Sequence, residues 1–328
     1  MTGLPSAAPT EERTGVALVL AATRISQAVC SQVRAPGFSG AVLSVHRSVV
    51  NVSSAGSLLT LVGAKAGGLP NGVMLATDTP LDQIGIRPGM RVAGDGDRLA
   101  IRSAGVMIFL TGASIWSPLM PVLPNLARST RGDRLDRALD LAGSAAPAIG
   151  LGPLLGALSH PRRGAGSPLA RTVAIHLADL LEELRRDDPA GAALAAAPLI
   201  GLGPGATPSG DDLLVGLMAG LAASRHRTAA SFGPRVAALA LGRTTTLAEA
   251  FLVHAGRGEF AERVHLTAAN LLDTGASVRR NAVADALNWG ASSGADLLLG
   301  LLLGLQLDRP GLAEWVRHSM ADRSEAAA

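Results

Sequence analysis

Two stretches of the chain place a serine, a glycine and an aspartate at the same spacing ahead of a leucine-rich run. Thr207 to Leu221 reads TPSGDDLLVGLMAGL, and Ala291 to Leu305 reads ASSGADLLLGLLLGL. Aligned without a gap they share nine of fifteen positions, with Ser209 and Ser293 standing 84 residues apart (293 − 209). A serine at a helix start can accept a hydrogen bond from a first-turn N–H, and an aspartate three residues on can reach back to it. Ser209 with Asp212 and Ser293 with Asp296 therefore read as capping boxes with Asp in place of Glu. A carboxylate held at the positive end of a helix is expected to have a lowered pKa, which suits binding and orientation better than proton donation.

The first stretch carries more than a cap needs. Gly201, Gly203 and Gly205 precede it, and Asp211 stands beside Asp212. Glycines let a backbone approach a ligand closely, and free N–H groups at a helix start attract anions. Two carboxylates would repel an anion unless they point away, bind a cation, or accept from an amide N–H2 or ammonium on the ligand. The last option suits a ligand with one anionic end and one amide end. The candidate binding set is Gly203, Gly205, Thr207, Ser209, Gly210, Asp211, Asp212, Thr244, Thr245, Ser293, Gly294 and Asp296. Thr244 and Thr245 follow Arg243 and offer hydroxyl donors, although Thr246 reads equally well as a helix cap. Arg279 and Arg280 read either as surface charges or as anion ligands. No residue is assigned to bond-making chemistry, because no GxSxG nucleophile motif is present and Cys30 is the single cysteine.

The elements that must position these residues fall into two regions. From Gly37 to about Pro118, short β-prone runs alternate with turn signals such as Arg87-Pro88-Gly89 and Asp95-Gly96. They predict a small, closed or partly closed barrel. Gly15 to Val33 reads as a helix packed on it. Beyond Pro118 the period becomes helical, most plainly from Pro168 until Pro189 closes the segment, where Ser167 caps and leucines recur at helical spacing. The predicted organisation is α+β: a tail and helix over 1–36, a β-rich domain over 37–118, and a mainly helical domain over 119–328 holding both loop-helix units. Gly216 and Gly220, and Gly300 and Gly304, lie four apart, a spacing that lets the two repeat helices approach closely and brings both loops to one end.

Composition narrows the function classes. Aromatic residues make up 2% of the 328 and the net charge is +3, which offers no stacking platform for nucleic acid. The mean hydropathy of +0.32 suggests a membrane until Leu297 to Leu307 is measured against the ~20 residues that a spanning helix needs. The seven histidines show no metal-ligand spacing, and GxxxxGK[ST] is missing, Lys65 being the sole lysine. The expectations are no nucleic-acid or membrane partner, no metal site, no cofactor with magnesium left open, and a cytoplasmic setting. A polar start to the chain, without the basic flank of a signal peptide, agrees with that setting.

Gly201 to Leu221, with Thr244-Thr245 and the Ser292 to Gly300 segment, resembles a bacterial family marked by a GxGxGxTPSGDD loop, which includes the AllH-type subunit of oxamate carbamoyltransferase. The resemblance implies a subunit acting with other polypeptides, one of the FdrA type, in exchange of a carbamoyl group between oxalurate and phosphate during allantoin breakdown. Oxamate and oxalurate each carry a carboxylate and an amide N–H2, which fits the reading of the residues in which the glycine-rich loop holds the anionic end and Asp211 or Asp212 accepts from the amide. Two further readings stay open: a non-catalytic anion-binding or assembly subunit whose loop is only a helix cap, and a magnesium-dependent phosphotransferase using Asp211 and Asp212. The second lacks a phosphate-binding lysine.

Overall fold

The computed structural model describes residues 18–124, 126–160 and 167–319, in two units that divide between Ser117 and Pro118.

The first unit is a closed barrel of eight strands. Strands β1 (Leu18–Ser26), β2 (Ser39–Val45), β3 (Val49–Ser54), β4 (Ser57–Val62), β5 (Gly72–Leu75), β6 (Arg91–Gly94), β7 (Arg98–Ile101) and β8 (Val106–Phe109) run in the order β5-β4-β3-β2-β6-β7-β8-β1, and β1 returns to pair with β5. A short β9 (Ser114–Trp116) pairs with the end of β1 beyond β8. Alternation drives the closure: Val50 and Val52 of β3, Leu59 and Leu61 of β4 and Leu99 and Ile101 of β7 point into one apolar core with Ile25 and Ile108. The expected turns are present. Gly89 adopts φ +84° after Pro88, and the Asp95 carboxylate accepts from the N–H groups of Asp97 and Arg98 to close the β6–β7 hairpin.

The helix expected over Gly15 to Val33 is corrected. Residues 15–17 lie outside the described residues, Leu18–Ser26 is the strand that closes the barrel, and only Gln27–Val33 is helical (α1), capped by Ser26. Leu18, Val19, Leu20 and Ala21 pair with β8 while Ala22, Arg24 and Ile25 pair with β5, and these non-local bonds outweigh the helix propensity of alanine and leucine.

The second unit is helical: α2 (Arg128–Ala145), α3 (Gly152–Ser159), α4 (Pro168–Arg185), α5 (Pro189–Ala196), α6 (Ser209–Ala223), α7 (Ala229–Ala240), α8 (Thr246–Gly256), α9 (Glu262–Leu271), α10 (Ala276–Leu287), α11 (Ser293–Leu305) and α12 (Leu312–His318). The whole is an α+β protein, as the pattern predicted. Helices α6 and α11 are apolar on nearly every face and form the centre of this unit, as helices without a polar side must. They cross through glycine. A Cβ on Gly216 would stand 2.0 Å from the Leu297 carbonyl oxygen, and one on Gly300 would stand 2.0 Å from that of Leu213. Gly220 and Gly304 repeat the relation one turn on, each against the backbone of the other. The contacts are reciprocal, so the two repeats are related by a local two-fold, and their N-termini meet at one end. Among the described residues no helix is long and apolar enough to cross a membrane.

Candidate functional site

The site is built where α6 and α11 begin. Both helices start at the serine of their motif, after Pro208 and after Ser292, and neither is capped by a side chain. The capping boxes expected at Ser209/Asp212 and Ser293/Asp296 are therefore absent. The reason is the close crossing of the helices, which faces each aspartate toward the other repeat: Ser293 and Thr207 act on Asp212, while Ser209 and Ser292 act on Asp296. Thr207 Oγ1 and Ser293 Oγ stand 2.9 Å apart and bridge the two units directly.

Asp211 anchors the loop. Its Oδ1 accepts from Gly201 N–H at 2.9 Å and its Oδ2 from the Thr244 hydroxyl at 2.5 Å. Thr245, not Thr246, caps α8, accepting from Ala248 N–H at 3.1 Å, and its hydroxyl also donates to the Ala206 carbonyl. The threonine segment thus holds the glycine-rich loop from one side. Gly201, Gly203 and Gly205 take φ of +73°, +116° and +103°, which L side chains rarely adopt. Pro204, Gly205 and Ala206 are exposed, whereas Asp211, Asp212 and Asp296 are buried. Among the described residues, the N–H groups of Gly203, Gly205, Ala206, Thr207 and Ser209 make no hydrogen bond.

Gly210 and Gly294 serve packing. The Gly210 N–H is taken by Leu202 O, and a Cβ there would lie 2.0 Å from Leu199 O; Gly294 donates to Trp289 O and would collide with Ala286 O in the same way. Arg279 is neither a surface charge nor an anion ligand, because it is buried and donates to the Asp273 carbonyl. Arg280 is exposed.

The lowered carboxylate pKa expected from the helix dipole is also overturned. Burial pushes Asp212 up to about 8, the nearby Ser293 and Thr207 hydroxyls only partly offsetting it, with the charges of Asp296 and Asp211 adding to the rise. Burial raises Asp211 and Asp296 as well. Asp212 Oδ2 and Asp296 Oδ2 are both buried without a hydrogen-bond partner, a costly state that calls for a ligand or a proton. Among the described residues no group of three or more His, Cys, Asp or Glu is arranged to hold a metal ion.

One contributor went unread in the sequence. Asp296 Oδ1 accepts from Leu151 N–H at 2.6 Å, and Gly150, at φ +58°, lies against Ser292 and Asp296. The signal was available: Ala145 to Pro153 reads AAPAIGLGP and Ala196 to Pro204 reads AAPLIGLGP, identical at eight of nine positions. Each buried aspartate motif is thus flanked by one copy of the same glycine turn.

These features define an α+β protein with a closed barrel and a duplicated, buried carboxylate site in a helical unit. The chain belongs to the AllH family. Residues 199–305 match the family model described as oxamate carbamoyltransferase subunit AllH, and residues 21–115 match the AllH family N-terminal domain; the first match spans both aspartate motifs but not the Gly150–Leu151 turn. No curated protein and no solved structure matches the chain.

Proposed function

We propose that this chain is a subunit of a carbamoyltransferase acting on oxalurate or oxamate and carbamoyl phosphate, and that it binds the small anionic amide at the loop from Gly201 to Asp212. The observation that carries the reading is a set of unpaired donors in the loop together with an unpaired carboxyl oxygen in the same motif. Five loop N–H groups without acceptors suit a carboxylate or phosphate, and the unpartnered oxygen of Asp212 suits an amide N–H or a proton.

The chemistry fits that arrangement. Phosphate oxygen attacks the ureido carbonyl of oxalurate, the carbon–nitrogen bond breaks, and the proton of hydrogen phosphate ends on the departing oxamate nitrogen. Negative charge builds on the tetrahedral carbon, where loop N–H groups stabilise it. A carboxyl group with a pKa of about 8 is protonated at neutral pH and returns to that state readily, so Asp212 relays the proton. A multisubunit assembly with an FdrA-type partner, a cytoplasmic setting and a place in allantoin breakdown complete the proposal.

The test is a thermal-shift series on the full chain with oxamate, oxalurate, carbamoyl phosphate and phosphate. A ligand at 100 times its Kd adds ~2.7 kcal/mol of stability. The expected result is a shift with oxamate or oxalurate that disappears in Asp212→Asn. A shift of equal size in that variant would remove Asp212 from the site.

A further inference from the structure

The proposed loop accounts for one orphan carboxylate and leaves the other unexplained. Asp296 is fully buried, its Oδ2 has no partner, and its Oδ1 is fixed by Leu151 N–H. A group held this firmly on one oxygen presents the other in a set direction. Its surroundings are those of the first aspartate motif, exchanged by the local two-fold: Ser209 stands to Asp296 as Ser293 stands to Asp212, and the turn at Gly150 repeats the turn at Gly201. The halves differ in one respect. The long exposed loop at Pro204 to Ala206, with its free N–H groups, has no counterpart in Ile149 to Pro153, where α3 begins at once with Gly152. At the Gly150 turn the second half offers the Asp296 acceptor and no glycine-rich loop of that kind.

We infer that Gly150, Leu151, Ser292 and Asp296, with Ser209, form a second half-site that receives the N–H2 of a primary amide whose anionic end lies on the Gly203 to Ser209 loop. This rests on the proposed function, which places the anion and the proton relay in the first half, and adds the residue that tells an amide from its isosteres. Asp296 accepts one amide N–H. Leu151 N–H and the turn at Gly150 are positioning elements, holding the carboxylate against rotation. A Cβ on Gly150 would lie 2.7 Å from Asp296 Oδ1, so that turn accepts no side chain without moving the carboxylate.

Oxamate and pyruvate make the test sharp, because they share a 2-oxo carboxylate shape and differ by N–H2 against CH3. Titration calorimetry on the full chain is expected to give oxamate at least about tenfold tighter binding than pyruvate, the worth of one hydrogen bond to a charged acceptor. In Asp296→Asn the ratio is expected to fall toward one with pyruvate affinity little changed. Ser292→Ala, a milder change at a half-buried position, is expected to narrow the ratio by a smaller factor and decides the matter should Asp296→Asn fail to fold. An undiminished preference for oxamate in the folded variants overturns the half-site and leaves the loop reading standing. Binding of neither ligand by the unsubstituted chain overturns both.

Discussion

Thr207 Oγ1 lies 2.9 Å from Ser293 Oγ, a hydroxyl contact between residues 86 apart that joins the N-terminal ends of the two repeated units. Both hydroxyls also act on Asp212. Thr207→Val keeps the shape and removes the contact. We expect a stability loss of about 1 kcal/mol, typical of one neutral hydrogen bond, together with oxamate binding weakened several-fold. Urea unfolding and calorimetry check the pair of effects; intact affinity would show that the bridge only joins the helices.

Asp211 and Asp212 are neighbours with different work. Asp211 satisfies Gly201 N–H and the Thr244 hydroxyl, so in Asp211→Asn the amide oxygen keeps Gly201 N–H while the N–H2 meets Thr244 Oγ1, which must turn from donor to acceptor and loses its bond to a carboxylate. That change is expected to cost about 1–3 kcal/mol and to loosen the loop. Asp212→Asn replaces a carboxyl that must take up a proton on folding at neutral pH with a neutral isostere that need not, so stability at pH 7 is expected to hold or rise while the proposed transfer is abolished. Melting curves and an assay of the assembled enzyme separate the two; equal destabilisation by both would mean that the pair is a structural unit.

Much of this was legible in the residues. The strands of the barrel show because turn chemistry at Pro88-Gly89 and Asp95-Gly96 punctuates alternating apolar runs, and the α6–α11 crossing shows because four glycines recur at matching places in two similar segments. The closing strand was hidden, since Leu18 to Ala22 has helical composition and its partners lie more than fifty residues away. The capping reading failed for a related reason. Ser-x-x-Asp at a helix start is the same pattern whether the aspartate serves its own helix or the neighbouring one, and only the approach of α11 to α6 decides. The IGLGP turn at Ile149 to Pro153 escaped because its copy lies 51 residues on (198 − 147), out of phase with the 84-residue repeat, and carries no charged residue to draw notice.

The glycines at the crossing should be among the least replaceable in the chain. A methyl at Gly216 or Gly300 would press on a carbonyl oxygen of the facing helix, and overpacking of this kind costs about 1–3 kcal/mol or more. Gly132, inside α2, supplies the control, because a Cβ there meets nothing within 4 Å. Gly132→Ala is expected to stabilise by about 0.5–1 kcal/mol through helix propensity. Chemical denaturation of the three variants reads the contrast directly. Parallel behaviour of Gly132→Ala and Gly216→Ala would mean that the helices do not touch through glycine.

The buried carboxyls set the sign of the pH dependence. Asp212 has a folded pKa of about 8 against 3.8 for the ordinary side chain, so the folded state holds the proton more tightly. Stability from this group is complete below about pH 4, falls as pH rises through the interval, and is gone above about 8. The local slope is at most about 1.4 kcal/mol per pH unit for one proton. Asp211 and Asp296 are shifted in the same direction and add to the fall. Melting temperature should therefore decline from pH 5 to pH 9, and Asp212→Asn should flatten the part between pH 5 and 8 while making the chain more stable than the unsubstituted protein at pH 9. A bound anionic amide changes the balance in a further, opposite way, since accepting an amide N–H favours the charged carboxylate at Asp296. Saturating oxamate should then reduce the decline. A steeper decline with oxamate present would place the ligand away from these carboxyls.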